Sequence, residues 1–180
     1  MGKAQSKQQI QFTRFEVVGY PSARFNEIEW RLRQISAIAE PNDIFEVWNG
    51  ASVLVGFNGT SDSSIQAYMC WISDKDYLDI GRKEVLEEKL IEDFVARGGV
   101  PGKRGFFGVS LAGNTAEYYG LGKGMLEQVK FVIRDADYMF VHVHSERLWL
   151  LNLYGKIGLE VVGTYIDDGT EFIVMRGEIK

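Results

Sequence analysis

The 180-residue chain has one cysteine, two histidines and three prolines, and no apolar run approaches the ~20 residues of a membrane-spanning helix. A lone thiol, Cys70, excludes an intrachain disulfide and suits a reducing compartment. Positive charge is also short: 20 Lys and Arg against 25 Asp and Glu leave a formal net charge of -5, so there is no general basic footprint and no nucleic-acid partner is expected. The opening "MGKAQSKQQ" has no apolar signal core, and a cytoplasmic location is expected. Internal repeats and low-complexity tracts are absent. What the chain does hold is 46% hydrophobic and 13% aromatic residues, enough for a substantial core. A single domain over residues 10–180 is expected behind a flexible tail at 1–9.

Two short patterns stay local. Met1-Gly2 followed by Ser6 fits a myristoylation pattern, although an ordinary frayed terminus is the simpler expectation. Asn58-Gly59-Thr60 is read as a turn.

Hydrophobic periodicity then sets the element order. Residues 10–18 alternate as a strand, and Phe25, Ile28, Leu32, Ile35 and Ala39 recur at helical spacing before Pro41. "IFEVW" and "SVLVGF" flank Asn49-Gly50, which predicts a hairpin, and "IQAYMCWIS" predicts the next strand. Residues 82–97 place Leu86, Leu90 and Phe94 on one face of an amphipathic helix whose charged side is solvated. "GGVPGKRG" at 98–105 is a connecting segment. A buried strand "FFGVSLAG", a glycine-bearing turn, a helix with Met125, Val129, Val132 and Ala136 inward, and a strand "YMFVHVH" follow. A helix from Glu146 to Ile157 and a closing hairpin about Asp168-Gly169 complete the chain.

The turn "YYGLGKGML" is the most informative stretch. Each of Gly120, Gly122 and Gly124 costs about 1 kcal/mol relative to alanine if helical, so something must offset them. A turn opening a helix gathers unpaired amides at the positive end of the helix dipole, which suits phosphate, and Lys123 adds a mobile cation. Close packing of the helix on the sheet, with no ligand, explains the glycines equally well. The dinucleotide pattern fails because Met125 stands where its last glycine would be, and a Walker loop fails at Gly124 and Glu117. "GVSLAG" lacks the spacing of a nucleophile elbow around Ser110.

"GLGKGML", "YMFVHVH", "LLNLYGKIGLEVVGTY" and "GTEFIVM", in that order over residues 105–178, resemble the GNAT superfamily of N-acetyltransferases. The resemblance implies an α/β (α+β) fold with a mixed, mostly antiparallel central sheet flanked by helices, here with an extra helix near 82–97. It implies transfer of an acetyl group from acetyl-coenzyme A to an amine on a small molecule or polypeptide. Gly120 and Gly122 match the glycines of the family's Q/R-x-x-G-x-G/A motif, whose amides hold the pyrophosphate, while Glu117 takes its first position. Tyr118, Tyr119, Gly120, Leu121, Gly122 and Lys123 are the implied cofactor-binding turn, and Val109, Ser110, Leu111 and Ala112 the implied strand beside the thioester. "LYGKIGLEVVG" is similar to the family's L-Y-x-K-x-G-F-x-x-x-G segment, which gives Tyr154 the role of protonating the departing thiolate; Arg147 and Leu150 replace the usual asparagine and alanine.

The reaction also needs a base for the amine, and Glu46, Asp74, His142 and His144 are open candidates. Alternation puts His142 and His144 on one strand face, but their separation along a straight strand opposes a shared metal, and none is expected. A diverged, non-catalytic GNAT-like binding or structural protein is the alternative, as in the virion-associated proteins of short-tailed bacteriophages. In that case the leucine-rich helix 148–153 and Trp149 serve packing, a protein partner or a homo-oligomer.

Overall fold

The computed structural model describes residues 6–179, so the Gly2 myristoylation pattern lies outside the described residues. The elements are β1 (Gln8–Gln9), β2 (Arg14–Gly19), α1 (Ala23–Ala39), β3 (Ser52–Phe57), β4 (Ile65–Ser73), α2 (Asp74–Gly81), α3 (Glu87–Ala96), β5 (Gly105–Gly113), β6 (Tyr118–Tyr119), α4 (Leu121–Val132), β7 (Tyr138–His144), α5 (Leu148–Lys156), β8 (Glu160–Asp167) and β9 (Thr170–Glu178). Seven strands form one sheet in the order β2-β3-β4-β5-β7-β9-β8, and β1 and β6 form a two-stranded parallel sheet. Antiparallel ladders join β2 to β3, β7 to β9 and β8 to β9, whereas β5 and β7 run parallel. No helix among the described residues is long and apolar enough to cross a membrane.

Two compact units divide the chain. One runs to Cys70 and resumes over Ser110–Val129; the other comprises Trp71–Val109 and residues 130–179. In the first, Ser22 caps α1 by accepting the Phe25 N–H at 3.0 Å, and the stripe Phe25, Ile28, Leu32 and Ile35 is buried. Met125, Leu126 and Val129 bury the inner face of α4. In the second, Ser73 caps α2 through the Asp76 N–H, and Leu90 and Phe94 bury one face of α3. Phe94, Tyr77, Phe107 and Phe140 pack there ring against ring at centroid separations of 5.1–6.0 Å.

Several expectations are corrected. Residues 44–48 form no strand: Gly50 N–H bonds Tyr20 O at 3.0 Å, and β3 pairs with β2 instead, from Gly19↔Ser52 to Arg14↔Phe57. The Asn49-Gly50 turn is therefore real, with Gly50 at φ 89°, but it joins no hairpin. The helix expected over 82–97 is the shorter α3, Glu87–Ala96, and an unexpected helix, α2, precedes it over Asp74–Gly81, capped at Ser73. Residues 8 and 9, within the stretch expected to be a tail, form β1. The closing hairpin stands as expected, with Asp168 at φ 48° and Gly169 at φ 78°.

Candidate functional site

The turn leading into α4 begins at Asn114. Its backbone carbonyl accepts the N–H groups of Glu117 and Tyr118 at 3.2 and 3.1 Å, which folds the chain back on itself. Gln66 O accepts the Asn114 N–H at 2.8 Å, and the side chains continue as a relay: Asn114 Nδ2 donates to Gln66 Oε1, Gln66 Nε2 to Asn58 Oδ1, and Asn58 Nδ2 to Tyr118 Oη at 2.8–3.0 Å. Arg31 donates to the same Gln66 oxygen at 3.3 Å. Gln66 and Asn114 are buried and Asn58 is half-buried, and amides chained in this way hold the turn in place. Sequence patterns do not display this relay because Asn114 and Tyr118 lie 48 and 60 residues from their partners Gln66 and Asn58; the clue is a lone glutamine in the otherwise apolar strand "IQAYMCWIS".

Past the relay, Gly120 takes φ +81°, a conformation that favours glycine. The first helical bond of α4 runs from Gly124 N–H to Gly120 O at 3.1 Å, so the amides of Leu121, Gly122 and Lys123 have no acceptor inside the helix. Lys123, Glu117 and Tyr119 are exposed, and Gly122 is half-buried. Ser110, Leu111 and Ala112 belong to the same unit; Ser110 lies beside Tyr68 and Cys70, and burial pushes the Cys70 thiol up to about 12. Cys70 is thus an inert core thiol. Glu46 is exposed on the segment between α1 and β3.

The other unit carries Val109, Asp74, His142, His144 and Tyr154. The β5–β7 ladder pairs Gly105–Gly108 with Tyr138–Val141, and β7 continues to His144 along β9. Asp74, at the first turn of α2, accepts Tyr138 Oη at 2.5 Å, while Tyr138 Oη accepts the Val100 N–H at 2.8 Å. Burial raises the Asp74 carboxyl above its usual range. His142 Nε2 lies 2.6 Å from Arg97 O; a carbonyl only accepts, so Nε2 carries the proton and Nδ1 accepts Tyr165 Oη at 2.9 Å. Burial holds this imidazole down to about 4, neutral at ordinary pH. The His144 ring packs at a tilt against Phe172, centroids 4.5 Å apart, and Tyr154 is buried on α5 with Leu150. Tyr138, Tyr165 and Arg97 complete these contacts from distant segments, and no local sequence pattern marks them.

Sequence comparison finds no matching family profile and no matching curated protein. Structural comparison does find relatives in shape. Arabidopsis thaliana NAA60, solved with a bisubstrate analogue, matches at TM-score 0.59 and 16% identity over 92% of this chain and 100% of that one. A chain of the NatC complex bound to Gag peptide and CoA matches at TM-score 0.53 and 13% identity, over 92% and 99% respectively. The ribosomal-protein-S18-alanine N-acetyltransferase of Escherichia coli matches at TM-score 0.53 and 12% identity, over 93% and 95%. At such identities the likeness establishes the fold, that of the GNAT N-acetyltransferases.

Proposed function

We propose that this chain, which has the GNAT fold, is an N-acetyltransferase that moves the acetyl group of acetyl-coenzyme A onto an amine. The observation that carries this reading is the turn at residues 118–123. Three consecutive amides without a helical acceptor, a glycine at positive φ and an exposed Lys123 suit a diphosphate. Glu117 is exposed to solvent, where its charge opposes the diphosphate only through screened repulsion. Neighbours in shape include proteins solved with CoA or with a peptide, and an amine-bearing polypeptide end is the acceptor class we favour.

Acetyl-coenzyme A supplies the activated thioester when bound. The chain's own tasks are to hold the diphosphate at Leu121–Lys123, to receive a neutral amine and to protonate the sulfur as it leaves. We assign the last task to Tyr154 on its resemblance-bearing segment. For the amine's proton, His142 is a poor acceptor because both ring nitrogens are committed, and Asp74 is engaged by Tyr138. Glu46 and His144 remain the open candidates.

A second reading, a GNAT-shaped binding or structural protein without catalysis, is favoured by one observation: Gln9 and Phe12 fill the bare faces of Gly120 and Gly124 without any ligand. One experiment separates the two. Release of free thiol from acetyl-coenzyme A is followed across a panel of amines and peptides, with Tyr154→Phe in parallel. The enzyme reading expects acceptor-dependent release in the native chain, slowed roughly a hundredfold in kcat by Tyr154→Phe with CoA affinity kept. Absence of release with every acceptor supports the second reading, and an unchanged kcat in the variant removes Tyr154 from the acid role.

A further inference from the structure

The segment ahead of β2 is fastened to the glycine turn at successive residues. Gln8 N–H bonds Glu117 O and Ile10 N–H bonds Tyr119 O, each at 3.0 Å, in the parallel β1–β6 ladder. Strand alternation then sends Ile10 inward, where it is 6% exposed, and turns Gln9 outward. The Gln9 carboxamide lies against Gly120, with Nε2 occupying the space a Cβ there would take and Oε1 farther away. Phe12, two residues beyond Ile10, is wedged between Gly56 and Gly124 and anchors the segment from its other end.

We propose that Gln9 is a cofactor-contacting residue, its carboxamide donating to the diphosphate held at Leu121–Lys123. This rests on the reading of the turn given above. The ladder fixes the backbone of Gln9 to that of Tyr119, so its side chain is presented beside Gly120, the residue just before the first amides of α4. An uncharged donor there adds a charge-assisted hydrogen bond to an anion. Lys7 and Lys123, both exposed, add attraction at longer range, opposed by the exposed Glu117. On this account residues 7–12 belong to the binding site although they stand more than one hundred residues before the turn in sequence.

The test uses the full chain and coenzyme A itself as the probe, in calorimetric titrations of the native protein, Gln9→Ala and Gln9→Glu. Gln9→Ala is expected to weaken binding about tenfold, as loss of one hydrogen bond to a charged group does. Gln9→Glu keeps the shape and the packing over Gly120 but turns a donor into a negative charge, so it is expected to weaken binding further than alanine. Both variants should unfold at the native temperature without ligand, because Gln9 is exposed. Native-like affinity in Gln9→Ala, or tighter binding by Gln9→Glu than by Gln9→Ala, overturns the role of Gln9 and leaves the turn's function standing. A native protein that binds no coenzyme A overturns both.

Discussion

His142 shows how a single residue's surroundings decide what it can do. With Nε2 donating to Arg97 O and Nδ1 accepting from Tyr165, and with the Arg97 guanidinium 3.7 Å from the Tyr165 ring centroid, the imidazole is part of a packed aromatic cluster. Its folded-state value of about 4 lies below the ordinary 6.5. The unfolded chain therefore takes up this proton first as pH falls, so the residue's contribution is intact above about 6.5 and is lost progressively towards about 4. Denaturation curves across that range should show the native protein losing stability on acidification more steeply than His142→Gln; equal slopes would contradict the buried neutral assignment. Asp74 works in the opposite sense, since its raised folded value favours the protonated native state and its contribution fades as pH rises. Both histidines and Asp74 were conspicuous in the sequence as chemical groups. Their partners were not, because Arg97, Tyr138 and Tyr165 meet them only through the sheet and its flanking helices.

At the scale of elements, the packing on α4 explains why a glycine is tolerated inside the helix at position 124. Gly124 lies inside the helix, where alanine would ordinarily stabilise by about 1 kcal/mol. Here a Cβ would come 2.8 Å from Phe12 Cε2, and the ring has little room to retreat because Phe12 Cε1 is 2.5 Å from the corresponding Cβ position at Gly56. Overpacking outweighs propensity, so Gly124→Ala is expected to destabilise the fold by roughly 1–3 kcal/mol in chemical denaturation. A gain in stability would show that the ring is mobile. The sequence displayed the glycines and the helix that follows them, but not the start of α4 at Leu121, since apolar periodicity becomes visible only from Met125. It likewise displayed β4, β7 and the Asp168-Gly169 hairpin almost residue for residue, where apolar runs and turn chemistry act locally. It concealed α2, where a polar cap at Ser73 follows directly on a strand, and it suggested a strand at 44–48 that does not form because β3 takes β2 as its hairpin-side partner.

For the whole molecule, the order of elements is what carries over. The sequence segments "GLGKGML", "YMFVHVH" and "LYGKIGLEVVG" occupy α4, β7 and the α5–β8 connection, and the strand order β2-β3-β4-β5-β7-β9-β8 accompanies structural matches to acetyltransferases at 12–16% identity. Such matches identify a scaffold, and function has to be argued from its sites. The central claim is that the turn at residues 118–123 receives the diphosphate of acetyl-coenzyme A. A ligand that binds only the native form raises its stability, by about 2.7 kcal/mol at a hundredfold excess over Kd. The most direct measurement is thermal unfolding of the full chain against increasing acetyl-coenzyme A. The account predicts a saturable rise in Tm that is lost when Gly122→Pro removes one of the three amides; a Tm unmoved up to millimolar acetyl-coenzyme A would contradict it.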